Sequence, residues 1–130
     1  MTRPLTILII DNDPGVIAIF SRMLRLGGYD VVTALTAAAG LLAFGESQPD
    51  AVLLDLRMPL VDGVAFLRRL RESEKERRTP VAVISGDYFL EEALVAELKA
   101  LGAKVFFKPV WLTDLIDITR ELLRDAPEGG

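Results

Sequence analysis

The sequence predicts a single α/β domain: one sheet of five parallel strands in the order 2-1-3-4-5, doubly wound with five helices. Three observations carry this prediction. Five short aliphatic runs recur along the 130 residues, and a stretch with helical spacing follows each of them. The runs are apolar almost throughout instead of alternating, as strands buried on both faces are. Five such units also fall short of the eight needed to close a barrel.

The elements follow in order. The first strand is Leu5–Ile10, and a helix begins at Pro14 with Asp13 as its N-cap and stops at Gly27-Gly28. The second strand, Asp30–Ala34, leads to a helix from about Thr36 to Glu46. The third, Asp50–Leu54, is followed by a helix starting near Asp62-Gly63. That helix carries Phe66, Leu67 and Leu70 inward and ends in the charged run Glu72–Arg78, read as a solvated helix end. After the fourth strand, Pro80–Ile84, a helix sets Leu90, Leu94, Leu98 and Leu101 on one stripe and stops at Gly102. The fifth strand, Lys104–Phe107, precedes a helix from about Leu112 to Arg124. On it Trp111, Ile118 and Leu122 fall within roughly 40° of one another at 3.6 residues per turn. That stripe is expected against the sheet and the fourth helix, or else partly exposed as a partner surface. The arrangement is flavodoxin-like, with the domain at residues 1–124 and a disordered tail at 125–130.

Composition narrows the chemistry. A chain of this length buries roughly 65–70% of its unfolded surface, and 51% of its residues are hydrophobic, so its core needs no staple. The absence of cysteine excludes disulfides, thiolate metal sites and cysteine nucleophiles. The absence of histidine excludes the usual general base, the usual zinc ligand and a Ser-His-Asp triad. Carboxylates, hydroxyls, lysine and a hard metal ion remain. A net charge of −4 argues against nucleic-acid binding, and no stretch is apolar for long enough to span a membrane. The expected location is cytoplasmic.

Open α/β sheets bind ligands beyond the carboxyl ends of their strands. The sequence sets Asp11, Asn12 and Asp13 after the first strand, Asp55 after the third, Ser85 after the fourth and Lys108 after the fifth. In a 2-1-3-4-5 sheet those ends are neighbours. Asp11 and Asp55 against Lys108 leave one negative charge in excess. Two carboxylates about 4 Å apart repel by on the order of 4 kcal/mol at an effective dielectric of about 20. Mg²⁺ suits such an oxygen set, and a phosphoryl group on Asp55 would be neutralised by the metal and Lys108, with Ser85 donating a hydrogen bond.

At these residues the chain resembles the response-regulator receiver domains of two-component signalling. The likeness rests on Leu53-Leu54-Asp55-Leu56-Arg57-Met58-Pro59 with Asp62-Gly63, on Ile84-Ser85-Gly86 and on Lys108-Pro109. It implies that Asp55 is the phosphoacceptor and that Asp11 and Asn12 occupy the acidic-pair positions. The metal set would be Asp11, Asn12, Asp55 and the backbone carbonyl of Arg57, with Ser85 as switch hydroxyl and Lys108 as phosphate counter-ion. The phosphoryl donor is then a histidine kinase or phosphotransfer protein, and the domain catalyses its own aspartyl phosphorylation and dephosphorylation. Output to a downstream partner or domain is expected through the helix 4–strand 5–helix 5 face, where a homodimer could also form. A cis Lys108-Pro109 bond is a further family feature.

Departures from the family pattern qualify this. Asn12 stands where a second acid is usual, which predicts weaker Mg²⁺ binding. Val105 holds the usual aromatic switch position, with Phe106 beside it, in a segment before Lys108 one residue shorter than expected. Inward rotation of a ring on activation is therefore not expected. Arg57 and Asp87 are expected to pair across the mouth of the cleft and slow autodephosphorylation. Two rival readings remain. One is a receiver-like module that signals without phosphorylation. The other is a haloacid-dehalogenase-type phosphohydrolase, whose first motif resembles Leu8–Asp13 with Asp11 as nucleophile, and whose second resembles Val83–Gly86.

Overall fold

The computed structural model describes residues 3–56, 60–74, 78–85, 92–107 and 112–124, with the backbone alone at 55, 56, 60, 61, 112 and 113. Its elements run β1 (Thr6–Ile10), α1 (Pro14–Leu26), β2 (Asp30–Ala34), α2 (Ala37–Ser47), β3 (Ala51–Leu56), α3 (Leu60–Ser73), β4 (Val81–Ser85), α4 (Glu92–Ala100), β5 (Ala103–Phe107) and α5 (Leu112–Arg124). All strand pairs are parallel and the order is β2-β1-β3-β4-β5, as the sequence predicts.

Strand alternation sorts the core into two layers. Leu8, Ile10, Val52, Leu54, Val81 and Val83 pack with residues of α2, α3 and α4. Ile7, Ile9, Ala51, Leu53 and Ala82 pack with residues of α1 and α5 on the other face. Ile7 to Ile10 are all fully buried, which is why the strand reads as one apolar run. Phe66, Leu67 and Leu70 turn inward as expected, and Leu98 is buried between half-buried Leu94 and Leu101.

Several boundaries differ from the sequence reading. β3 continues through Leu56, so Asp55 lies within the strand, and β4 ends at Ser85, not Ile84. α3 begins at Leu60, two residues before Asp62. Ile118 and Leu122 are buried, but in the layer that α5 shares with α1, not against α4. The exposed-stripe alternative fails for these two residues, and Trp111 lies outside the described residues.

The charged run after α3 is the clearest correction. Glu72 and Arg78 are exposed, but Arg71 and Glu74 keep side-chain exposures of only 10% and 7%. Arg71 Nη1 donates to Glu74 Oε1 and to the Thr79 carbonyl, both at 2.7 Å, while Arg71 Nε donates to the Leu101 carbonyl at 2.8 Å. Glu74 Oε2 accepts from the Thr79 amide at 2.7 Å and from its hydroxyl at 3.0 Å. Burial pushes the Arg71 guanidinium below its ordinary pKa, against the opposing pull of Glu74. The network ties the end of α3 to the entry of β4 and to the turn between α4 and β5.

The turns show where backbone geometry selects the residue. Gly102 follows α4 at φ 86°, a conformation open to glycine without steric penalty. Gln48 closes α2 in the same left-handed region, at φ 47°, donating its N–H to the Phe44 carbonyl.

Two outcomes follow for stability. Arg71→Ala leaves Glu74 buried without its cation and should destabilise the domain by about 3 kcal/mol in urea unfolding, with Glu74→Gln in the same chain recovering part of the loss. Gln48→Gly relieves the left-handed strain and should raise stability by about 0.5–1 kcal/mol in the same measurement.

Candidate functional site

The chain leaves β1 through three consecutive polar residues, and the structure gives each a different task. Asp11 is fully buried, with its backbone N–H extending the ladder to the Ala34 carbonyl at 3.1 Å. Its Oδ1 accepts a hydrogen bond from the Asp13 amide at 2.9 Å. Asn12 is exposed. Asp13 is the N-cap of α1: its Oδ1 accepts from the amides of Gly15, at 2.8 Å, and Val16, at 3.4 Å. Pro14 sits at the first helical position, where no amide hydrogen is needed.

Register brings the other strand ends alongside. Ile10 pairs with Leu54, so Asp11 and Asp55 each follow a paired residue by one step on adjacent strands. Asp55 in turn pairs with Ile84, and Leu56 with Ser85. Ser85, the last residue of β4, is buried and stands level with Phe107 on β5. The predicted convergence of the β1, β3 and β4 ends is therefore present in the backbone. The Asp55 side chain, Arg57, Gly86, Asp87, Lys108 and Pro109 lie outside the described residues, as does the expected Arg57–Asp87 pair. Among the described residues no group of three or more His, Cys, Asp or Glu gathers as a metal cluster.

Val105 is half-buried in the layer of α2, α3 and α4, while Phe106 packs into the opposite layer. Phe107, two residues beyond Val105, stands level with Ser85 and is 45% exposed. The sequence reading weighed Phe106 beside Val105 and passed over Phe107. The period-two alternation of a strand was the signal that could have found it.

The donors available around the β1 and β3 ends are oxygens: a buried carboxylate at Asp11, the aspartate at 55 and an exposed amide at Asn12. Such a set matches a hard divalent ion and offers nothing to a soft one. Acidic residues stand at adjacent carboxyl ends of a five-stranded parallel sheet, with a buried serine closing the next strand. The chain belongs to the response regulator receiver domain family, whose model matches residues 7–120.

Its relatives agree. The chain is 36% identical over 118 residues to the transcriptional regulatory protein PrrA of Mycobacterium tuberculosis, covering 91% of this chain and 49% of that protein. It is 34% identical over 128 residues to the response regulator MprA of a Mycobacterium species, covering 98% of this chain and 54% of that protein. It thus spans about half the length of these curated relatives. A CheY-like response regulator receiver domain protein from Methanospirillum hungatei superposes with a TM-score of 0.82 at 24% identity, covering 94% of this chain and 95% of that one, a likeness of fold. Membership of this family sets aside the dehalogenase-type reading of Leu8–Asp13. Among the described residues no helix is long and apolar enough to cross a membrane.

Proposed function

We propose that this domain accepts a phosphoryl group on Asp55 from a phosphohistidine of a histidine kinase or phosphotransfer protein, with Mg²⁺ as cofactor. The observation that carries the reading is the register of β1 and β3, which sets Asp11, itself buried, and the backbone of Asp55 one step beyond the same residue pair. Two acids at one sheet end repel unless a cation binds or one of them takes up a proton. Mg²⁺, when bound, supplies the charge that offsets the phosphoryl oxygens.

In the proposed transfer an Asp55 carboxylate oxygen forms the new O–P bond as the donor's N–P bond breaks, and the imidazole leaves with its electron pair and takes up a proton. Asp11, Asp55, the amide oxygen of Asn12 and the Arg57 carbonyl would hold the metal. Lys108 balances the charge of the phosphoryl group, and the Ser85 hydroxyl donates to one of its oxygens. The switched surface is the α4–β5–α5 face, toward a downstream partner, an output domain or a second copy. On that face Lys104 of β5 pairs with Glu121 of α5 at 3.3 Å, while Glu97 of α4 pairs with Arg68 of α3.

Incubation with Mg²⁺ and acetyl phosphate or phosphoramidate should add the mass of one phosphoryl group, mapped by peptide analysis to Asp55 and absent in Asp55→Asn. No adduct from these donors or from a panel of kinases would favour the phosphorylation-independent module instead. Asn12→Asp adds a charge to the metal set and should tighten Mg²⁺ binding by roughly tenfold. A Mg²⁺ titration of the two proteins side by side checks this, and equal affinities would refute a ligand role for residue 12.

A further inference from the structure

We infer that Asp13 is a positioning residue for the metal pocket: by capping α1 it holds its own backbone N–H on the Asp11 carboxylate and fixes how that carboxylate is turned. The inference rests on the reading of Asp11 as a metal ligand and extends it to a residue that need not touch the ion.

Three hydrogen-bonding groups of Asp13 are committed at once. Its side-chain Oδ1 takes the amides of Gly15 and Val16, its carbonyl takes the Ile17 amide at 3.1 Å, and its N–H goes to Asp11 Oδ1. The side chain and the carbonyl anchor the residue to the first turn of α1. With φ −102° and ψ 110° set by the cap and favoured by the proline that follows, the direction of the N–H is set as well. A hydrogen bond to one carboxylate oxygen from a fixed donor restrains rotation about the Cβ–Cγ bond of Asp11. Because Asp11 is fully buried, bulk water is a poor replacement for that donor. Gly15 completes the arrangement: a Cβ there would stand 3.2 Å from Asp13 Oδ1, so glycine leaves the carboxylate room to close on the helix end.

This role is separable from attraction of the cation by the Asp13 charge. Asp13→Ala removes both cap and charge, whereas Asp13→Asn and Asp13→Ser remove the charge and keep a capping oxygen. Mg²⁺ affinity, read from the dependence of the unfolding temperature on Mg²⁺ concentration, should weaken about tenfold in Asp13→Ala and return to within a few fold of the parent in Asp13→Asn and Asp13→Ser. The amide resonances of residues 11 and 13 should shift in Asp13→Ala and be restored in Asp13→Ser. Thr36→Ala serves as the comparison, because Thr36 caps a different helix, α2, through the Ala39 amide at 3.0 Å. It should lower the unfolding temperature by a similar amount with Mg²⁺ affinity unchanged. Parent-like affinity in Asp13→Ala would overturn the inference and leave Asp11 as a ligand. Equal weakening in all three Asp13 variants would also overturn it, in favour of a direct charge effect. An unfolding temperature of the parent that ignores Mg²⁺ would overturn the metal site itself, and this inference with it.

Discussion

A parallel sheet sealed on both faces leaves a chain almost nowhere to put a polar side chain except at the strand ends, and this constraint organises the molecule. From Ile7 to Ile10 every residue of β1 is fully buried, between α1 and α5 on one side and α2, α3 and α4 on the other. Asp11 is the first polar side chain after that run, and it is buried too. The same holds on β4, where Val81 to Ile84 are fully buried and the polar Ser85 comes last. Chemistry gathers at the carboxyl end because the packing excludes it elsewhere.

The amino end of the sheet uses buried polar groups in the opposite sense. Asp50, just before β3, accepts from the Thr6 amide at 2.8 Å and from the two terminal guanidinium nitrogens of Arg3 at 3.1 Å. Arg71, Glu74 and Thr79 close a second network beside the entry of β4. In both, the charged groups are matched by hydrogen bonds within the fold, which makes them structural fasteners. At the carboxyl end, by contrast, two acids are brought to adjacent strands with an exposed amide beside them, an arrangement of oxygen donors suited to a cation.

The fold was legible because burial on both faces writes itself as uninterrupted aliphatic runs, and because Asp13-Pro14 and Gly102 are punctuation with a direct backbone meaning. What the sequence concealed was the state of residues whose surroundings come from elsewhere in the chain. Glu74 sits in a run of charges and reads as solvated, yet Thr79 and Arg71 bury it. Ile118 and Leu122 showed a stripe but not which neighbour would cover it, since nothing local distinguishes α1 from α4. Among residues 11–13 the cap at Asp13 was legible from the proline that follows it, whereas the burial of Asp11 and the exposure of Asn12 were not. Of the candidate site, the neighbourhood of the β1, β3 and β4 ends was legible from the strand order, whereas the burial of each side chain there depends on parts of the chain that the local sequence does not specify.

β5 shows how a tight turn and strand alternation together fix the side chains of a face. Gly102 turns in the left-handed region and β5 begins at once with Ala103, leaving no slack before the strand. Alternation then sends Ala103 and Val105 into the layer of α2, α3 and α4 and Phe106 into the other. Period two sets Phe107 on the same side as Val105, at the level of Ser85, where it is half-exposed. A valine has no ring to rotate, and Phe106 cannot reach the Val105 side without a register slip that would invert every side chain of the strand. The aromatic bulk on this face of β5 therefore lies at the strand's carboxyl end, beside the serine that closes β4, and not two residues deeper.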